Sequence, residues 1–236
     1  MQVTLIFRLQ QAALPSQVEH LRYLWKIAKL LEPFGFPMQE WYPPAATPKK
    51  SLATPAFDRD GPTPAAVEML RAEDRKDRTT DYRITSVWNG KQKAGGSAFY
   101  VSFSTDGNFP ICVFKLQFQN PETLDNAKKA QQLIIGLLDV WPAASEIEVG
   151  PLMYYTTRKV FRNKPGAGWM LYLAKIVTAE QLPEAAELLP VMEGDKQRGT
   201  IIVSIANEVF SADNPEHVKI ANAIEVRLAD QDLLCR

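Results

Sequence analysis

The residues able to carry out chemistry in this chain are few and widely separated. Its two histidines, His20 and His217, both fall in the first turns of predicted helices, and we interpret both as surface residues. Neither belongs to an H-E-x-x-H or C-x-x-C arrangement, so their spacing gives no zinc signature. The sequence also lacks Gly-x-Ser-x-Gly, Walker A and G-x-G-x-x-G motifs. We therefore predict no catalytic, cofactor-binding or metal-binding residue.

Two acidic residues alternate with apolar ones in a short predicted strand. Glu146 and Glu148 stand on either side of Ile147, which places both carboxylates on one face of that strand. Solvated strand residues are the ordinary interpretation. The alternative is an acidic edge that meets basic groups of a protein partner. The sequence around Asp195, Glu-Gly-Asp-Lys, comes nearest to a nuclease signature but has the composition of a turn.

Aromatic residues mark two further regions. Trp41 and Tyr42 lie in a proline-rich loop, and burial under that loop is the favoured interpretation, with exposed side chains that serve as interface anchors as the alternative. Tyr154 and Tyr155 precede three basic residues within the range 154–162. This second cluster indicates a local surface for phosphate or acidic groups, although the neutral chain weakens that case.

Composition limits the classes of protein that fit. The chain has 236 residues, 46% of them hydrophobic, and its 27 basic residues equal its 27 acidic ones, so no overall field attracts nucleic acid or an anionic membrane. Cys112 is predicted to be a core residue and Cys235 a solvated thiol, not a disulfide framework. We find no signal peptide and no membrane-spanning stretch, and expect a cytoplasmic protein.

The periodicity predicts an α+β fold, with an antiparallel sheet and helices packed mainly on one face. Ser16 and Glu19 form a capping box at the first helix, and Thr63 caps the second. We predict a three-stranded meander, a third helix capped by Asn120, and later strands and helices in the ranges 82–88, 98–103, 109–118, 147–153, 169–173, 182–189 (helix), 200–205 and 214–228 (helix). We expect a single domain, 1–236, with subhalves 1–142 and 143–236 as the alternative.

Several segments in this order resemble the immunity protein 52 family. They are Pro55-Ala56-Phe57-Asp58 with Gly61, then Pro165-Gly166-Ala167-Gly168-Trp169-Met170-Leu171-Tyr172-Leu173, then Pro183-Glu184-Ala185, and finally the stretch from Lys196 through Leu234. Each is structural and weak alone, so their order gives the weight. The resemblance covers nearly the whole chain and departs from the family pattern at 43–50.

The resemblance implies an inhibitor that is not an enzyme and needs no cofactor. Members of the family neutralise polymorphic toxins, including type VI secretion effectors with a restriction-endonuclease-like domain. Such a nuclease attacks DNA in the cytosol, so its inhibitor is expected there. Because a nuclease presents basic groups, we predict partner contacts mainly at acids and loop aromatics: Trp41, Tyr42, Asp139, Glu146, Glu148 and Asp195. The alternatives are a hydrolase with scattered carboxylates and a secretion adaptor that binds many effectors.

Overall fold

The computed structural model describes residues 1–75, 81–107 and 111–234, and within them it has the predicted α+β fold. Eight strands form one antiparallel sheet in the order β4-β5-β6-β1-β7-β8-β10-β9, and β2 pairs with β3. The strands are β1 (Gln2–Phe7), β2 (Phe57–Asp58), β3 (Gly61–Pro62), β4 (Tyr82–Trp88), β5 (Ser97–Ser104), β6 (Cys112–Phe118), β7 (Glu146–Gly150), β8 (Met170–Leu173), β9 (Glu187–Glu193) and β10 (Lys196–Val203). The α-helices are α1 (Gln17–Leu31), α2 (Pro48–Leu52), α3 (Pro64–Asp74), α4 (Ala127–Val140) and α5 (Pro215–Asp230).

The chain divides into two compact units. One comprises Ile6–Thr123 and Asp139–Ala143 and is called here the meander unit. The other comprises Met1–Leu5, Leu124–Leu138 and Ala144–Arg236 and is called the hairpin unit, after its β9–β10 hairpin. The expectation of a single domain, 1–236, with subhalves 1–142 and 143–236 as the alternative, stays a prediction.

The meander unit follows its sequence signals closely. Strands β4, β5 and β6 pair antiparallel in succession, as predicted. The capping box of α1 is present, because the Ser16 hydroxyl accepts from the Glu19 amide and the Glu19 carboxylate accepts from the Ser16 amide. Thr63 caps α3, with proline at its first position. Cys112 is buried, as expected, whereas Cys235 and residues 109–110 lie outside the described part.

Aromatic rings fill the core of the meander unit. Phe7 stacks on Trp141 with ring centroids 5.5 Å apart, and Phe114 lies 4.9 Å from the same indole. Phe99 meets Trp41 edge to face at 4.6 Å. Because offset-stacked and edge-to-face pairs stabilise a core beyond the apolar area they bury, these rings contribute strongly to the packing of the unit.

His20 in this core corrects an expectation. The sequence suggested a surface histidine, but the side chain is fully buried, and its Nε2 lies 3.1 Å from the carbonyl oxygen of Val101. Burial lowers the pKa of His20 to about 3, with Arg83 acting in the same direction and the bond to Val101 opposing it. The imidazole is therefore neutral near pH 7 and donates from Nε2.

Three secondary-structure predictions for the hairpin unit are wrong. Residues 187–193 form β9 and not a helix, because they pair with β10 from Glu187↔Val203 to Glu193↔Lys196. Pro190 is accommodated since β9 is the last strand of the sheet. Asn120 does not cap α4; that role falls to Asn126, whose side-chain oxygen accepts from the Lys129 amide at 3.0 Å. The third departure is that β7 ends at Gly150, and residues 152–158 are helical.

His217 also lies inside the hairpin unit and not on its surface. Its Nδ1 accepts from the Ser211 amide at 3.0 Å, so Nε2 carries the proton and faces Glu208 at 3.3 Å. The histidine joins the first turn of α5 to the connection that precedes it. This role is structural, and the prediction of a surface histidine is wrong here as well.

Candidate functional site

The loop aromatics differ in where the structure places them. Trp41 is fully buried against Phe36 and Phe99, with centroid distances of 5.8 and 4.6 Å. Burial under the loop is therefore confirmed for Trp41, and its alternative role as an exposed interface anchor is wrong. The loop folds back because the backbone of Tyr42 pairs with Trp88 in an isolated bridge. The Tyr42 side chain is half-buried. Trp41 thus supports the meander unit, and Tyr42 keeps some accessible surface.

The candidate acids fall into two groups. Glu146 and Glu148 are only 4% and 5% exposed, because both faces of β7 are buried, so neither the solvated pair nor the acidic edge is correct. Asp139 and Asp195 are exposed, the latter in the tight turn of the β9–β10 hairpin beside Gly194. Contact of Tyr42, Asp139 or Asp195 with a partner stays a prediction.

A buried carboxylate on α5 organises the hairpin unit. Glu225 is fully buried and accepts three hydrogen bonds: from the Tyr154 hydroxyl at 2.5 Å, the Val160 amide at 2.8 Å and the Ala167 amide at 3.0 Å. Burial raises the pKa of Glu225, and these hydrogen bonds act in the opposite direction. One side chain therefore fixes three points of an irregular stretch, residues 151–168, which we call the anchored segment.

Glu148 adds a fourth point of attachment. Its Oε1 accepts from the Gly166 amide at 2.7 Å, two residues after Lys164, whose ammonium group donates to the carbonyl of Leu234. Backbone N–H groups that are buried without an acceptor destabilise the folded protein, and a buried carboxylate removes this cost by accepting their hydrogen bonds. The residue chosen from sequence as a surface acid is thus an internal support.

Three glycines make room for one tyrosine ring. A Cβ added at Gly150 or Gly166 would lie 3.0 Å from Tyr155, and one at Gly168 would overlap its hydroxyl oxygen. Gly168 also has φ +49, a conformation that favours glycine. The Pro-Gly-Ala-Gly sequence at 165–168 is therefore the wall of a slot for Tyr155.

The hydroxyl of Tyr155 is the unusual group in this slot. It is buried and has no hydrogen-bond partner among the described residues. Burial, together with the nearby carboxylate of Glu148, raises the pKa of Tyr155 well above its usual value. The group is consequently a neutral phenol held by shape and not by hydrogen bonding.

The anchored segment has an exposed side that carries apolar and cationic groups. Leu152, Met153 and Val160 are 47%, 50% and 42% exposed, and Arg158 and Arg162 are exposed as well. Beside it is an open cleft of about 460 Å³. The cleft is lined by Arg158 of the segment and by residues at the start of α5: Ala212, Asp213, Pro215, Val218, Lys219 and Asn222.

This arrangement is suited to binding a macromolecular surface. Its buried polar groups hold backbone in place, and its exposed groups are large, apolar or charged. Within 1–75, 81–107 and 111–234, no group of three or more His, Cys, Asp or Glu residues is placed to hold a metal ion. No helix among the described residues has the length and apolar character needed to span a membrane.

Sequence reasoning missed Glu225, although one signal pointed to it. The buried stripe of α5 contains His217, Ala221, Ile224 and Leu228, and Glu225 lies four residues after Ala221 on that stripe. An acid within an apolar stripe needs a buried partner. The partners, however, are two backbone amides and a tyrosine hydroxyl that lie 58 to 71 residues away, which periodicity does not identify.

In a comparison with known protein families, a family model matches residues 17–236 of the chain. The matched family is described as Immunity protein 52. The curated proteins contain no match to the chain.

Proposed function

We propose that this chain, which belongs to the immunity protein 52 family, binds a cognate toxin and neutralises it in the cell that produces both. The observation that carries the proposal is the family match over nearly the whole chain. The carboxylates of Glu225 and Glu148 also support the proposal, because both accept hydrogen bonds from backbone amides. The acids of an enzyme site would instead be expected to face a substrate pocket. Inhibition then depends on surface complementarity.

The toxin we propose is a type VI secretion nuclease with a restriction-endonuclease-like domain. Such a toxin acts on DNA in the cytosol, so the encounter takes place in the cytoplasm. A stable inhibitory complex would bury about 1,200–2,000 Å² of surface. Coverage of the active site and prevention of toxin assembly are two modes that such an interface allows.

Growth rescue tests the proposal directly. The protein encoded by the neighbouring gene is expressed in a sensitive strain, alone and together with this chain, while immunoblots follow the amounts of both. We expect growth to stop with the toxin alone and to recover when the chain is present. Continued arrest in cells where both proteins accumulate would overturn the proposal, and rescue from several unrelated effectors would indicate an adaptor instead.

A further inference from the structure

We propose that the exposed side of the anchored segment is the toxin-binding surface, and that it receives an acidic, partly apolar patch of the toxin. The residues concerned are Leu152, Met153, Arg158, Val160 and Arg162. This inference rests on the proposed function and reverses the charge pattern predicted from the sequence, in which the inhibitor supplies the acids.

The charge of this segment is unbalanced within a neutral chain. Residues 151–164 contain four basic residues and no acid, whereas the whole chain has 27 of each sign. Lys159 and Lys164 use their ammonium groups on the carbonyls of Lys164 and Leu234. Arg158 and Arg162 remain exposed and form no ion pair with a described residue. Two guanidinium groups are therefore available to carboxylates of a partner, in the fork geometry that carboxylates match.

Apolar groups lie in the same short stretch as these cations. Leu152 and Met153 precede Arg158, and Val160 follows it, all three between 42% and 50% exposed. Methionine and arginine are enriched in the buried centres of protein interfaces, whereas lysine is depleted there. Such a mixture favours a protein partner that presents carboxylates around apolar side chains.

The segment is held in place before any partner binds. Glu225 fixes Val160 and Ala167, and the Thr156 and Thr157 hydroxyls donate to the carbonyls of Leu152 and Met153. Ordering a loop upon association weakens binding, so an already anchored loop retains more affinity. The π-helical turn Tyr154–Arg158 inside the segment is a geometry often found at functional sites.

The adjacent cleft extends the surface toward α5. Arg158 and Lys219 line it beside the first turn of that helix, whose positive dipole end favours negative charge, and Asp213 is the one acid in the lining. A nucleic acid is less favoured, because the aromatic rings that would stack on bases, Tyr154 and Tyr155, lie inward.

Binding of the neighbouring gene's toxin, in a catalytically inactive form, tests the inference with the full chain. Two sets of variants are compared: Arg158→Glu with Arg162→Glu, and Met153→Asp. The matched controls are Arg59→Glu, an exposed arginine of the meander unit, and Met192→Asp, a methionine 52% exposed on β9. Circular dichroism and melting temperature establish that each variant is folded.

We expect the variants of the anchored segment to weaken binding by about 100-fold, as truncating or reversing central interface charges does, and the controls by less than about threefold. If the wild-type chain neither binds nor rescues, the proposed function fails. If it binds and the reversed arginines bind equally well, this inference alone is wrong. Binding of a short DNA duplex that the same substitutions abolish would overturn the protein partner, as would a wild-type dimer that Met153→Asp dissociates in sedimentation.

Discussion

The core of the meander unit and the anchored segment of the hairpin unit are stabilised in different ways. The first is a set of packed rings in which Phe7, Phe99 and Phe114 each meet more than one aromatic neighbour. The second is irregular backbone attached by the carboxylates of Glu225 and Glu148. Apolar side chains can shift slightly and still fill a core. A buried carboxylate cannot be moved in the same way, because the amide and hydroxyl donors that bond to it would be left without an acceptor.

The difference indicates that the backbone position is more strictly determined in the anchored segment than the side-chain positions are in the aromatic core. Buried carboxylates contribute little net stability for their desolvation cost, so their value lies in fixing one geometry. We infer that the hairpin unit keeps them because residues 151–168 must hold a defined shape. Substitutions in the two regions should therefore differ in kind as well as in size.

The largest loss of stability is expected from Phe114→Ala. Phe114 is fully buried between Phe99 and Trp141, and its truncation leaves a cavity that should lower the free energy of unfolding by about 3–5 kcal/mol. Urea denaturation measures it, with Phe114→Leu as the milder control. A loss below about 1 kcal/mol would contradict the packed core.

Glu225→Ala should lower the free energy of unfolding somewhat less than Phe114→Ala does, and its effect should be confined to the anchored segment. The amides of Val160 and Ala167 and the hydroxyl of Tyr154 lose their acceptor, which should destabilise the protein by about 2–4 kcal/mol. Hydrogen exchange should accelerate at those two amides first. Glu180→Ala, at an exposed acid, is the control and should change stability by less than about 0.5 kcal/mol. Unchanged exchange at Val160 and Ala167 would show that Glu225 does not hold the segment.

His20 gives the meander unit a dependence on pH. Its folded pKa of about 3 lies below the ordinary value of 6.5, so the unfolded chain binds more protons between these values. Stability is lost as pH falls through this window, by about 1.4 kcal/mol per pH unit relative to His20→Gln. The comparison with His20→Gln cancels Glu225, whose raised pKa stabilises the fold as pH falls. Parallel urea-derived stability curves for the two proteins from pH 6 to pH 4 would refute this.

The smallest expected changes in unfolding free energy are those caused by removing the hydroxyl groups of two adjacent tyrosines. Tyr155→Phe removes a buried hydroxyl that lacks a described partner, so unfolding should be unchanged or up to about 1 kcal/mol less favourable. Tyr154→Phe removes a donor to Glu225 and should cost about 1–2 kcal/mol. Equal costs in urea denaturation would mean that the Tyr155 hydroxyl is satisfied.

Local signals in the sequence predicted much of the fold. The capping box at Ser16, the cap at Thr63 and the turns of the meander each depend on neighbours within a few residues. The strand β9 was missed because Leu188 and Leu189 fit a helix as well as a strand, and pairing with β10 decided between them.

The candidate site was harder to predict because its contacts are distant in sequence. Glu148 bonds to the Gly166 amide and Glu225 to the Val160 amide, contacts that the local sequence does not reveal. The alternation of acidic and apolar residues therefore suggested a surface role for Glu148, and no pattern suggested a role for Glu225. The cluster at 154–162 was recognised from residue type. Its anchoring and the reason for Gly166 and Gly168 required the fold.

The most direct test compares the toxin affinities of the wild-type chain, Glu225→Gln and Phe114→Leu at a temperature where all three are folded. We predict that Glu225→Gln weakens binding by about tenfold or more, because the segment loses its order before association. Phe114→Leu should bind within about threefold of wild type despite its lower stability. Equal affinity of all three proteins, or no binding by the wild-type chain, would contradict a toxin-binding surface positioned by buried carboxylates.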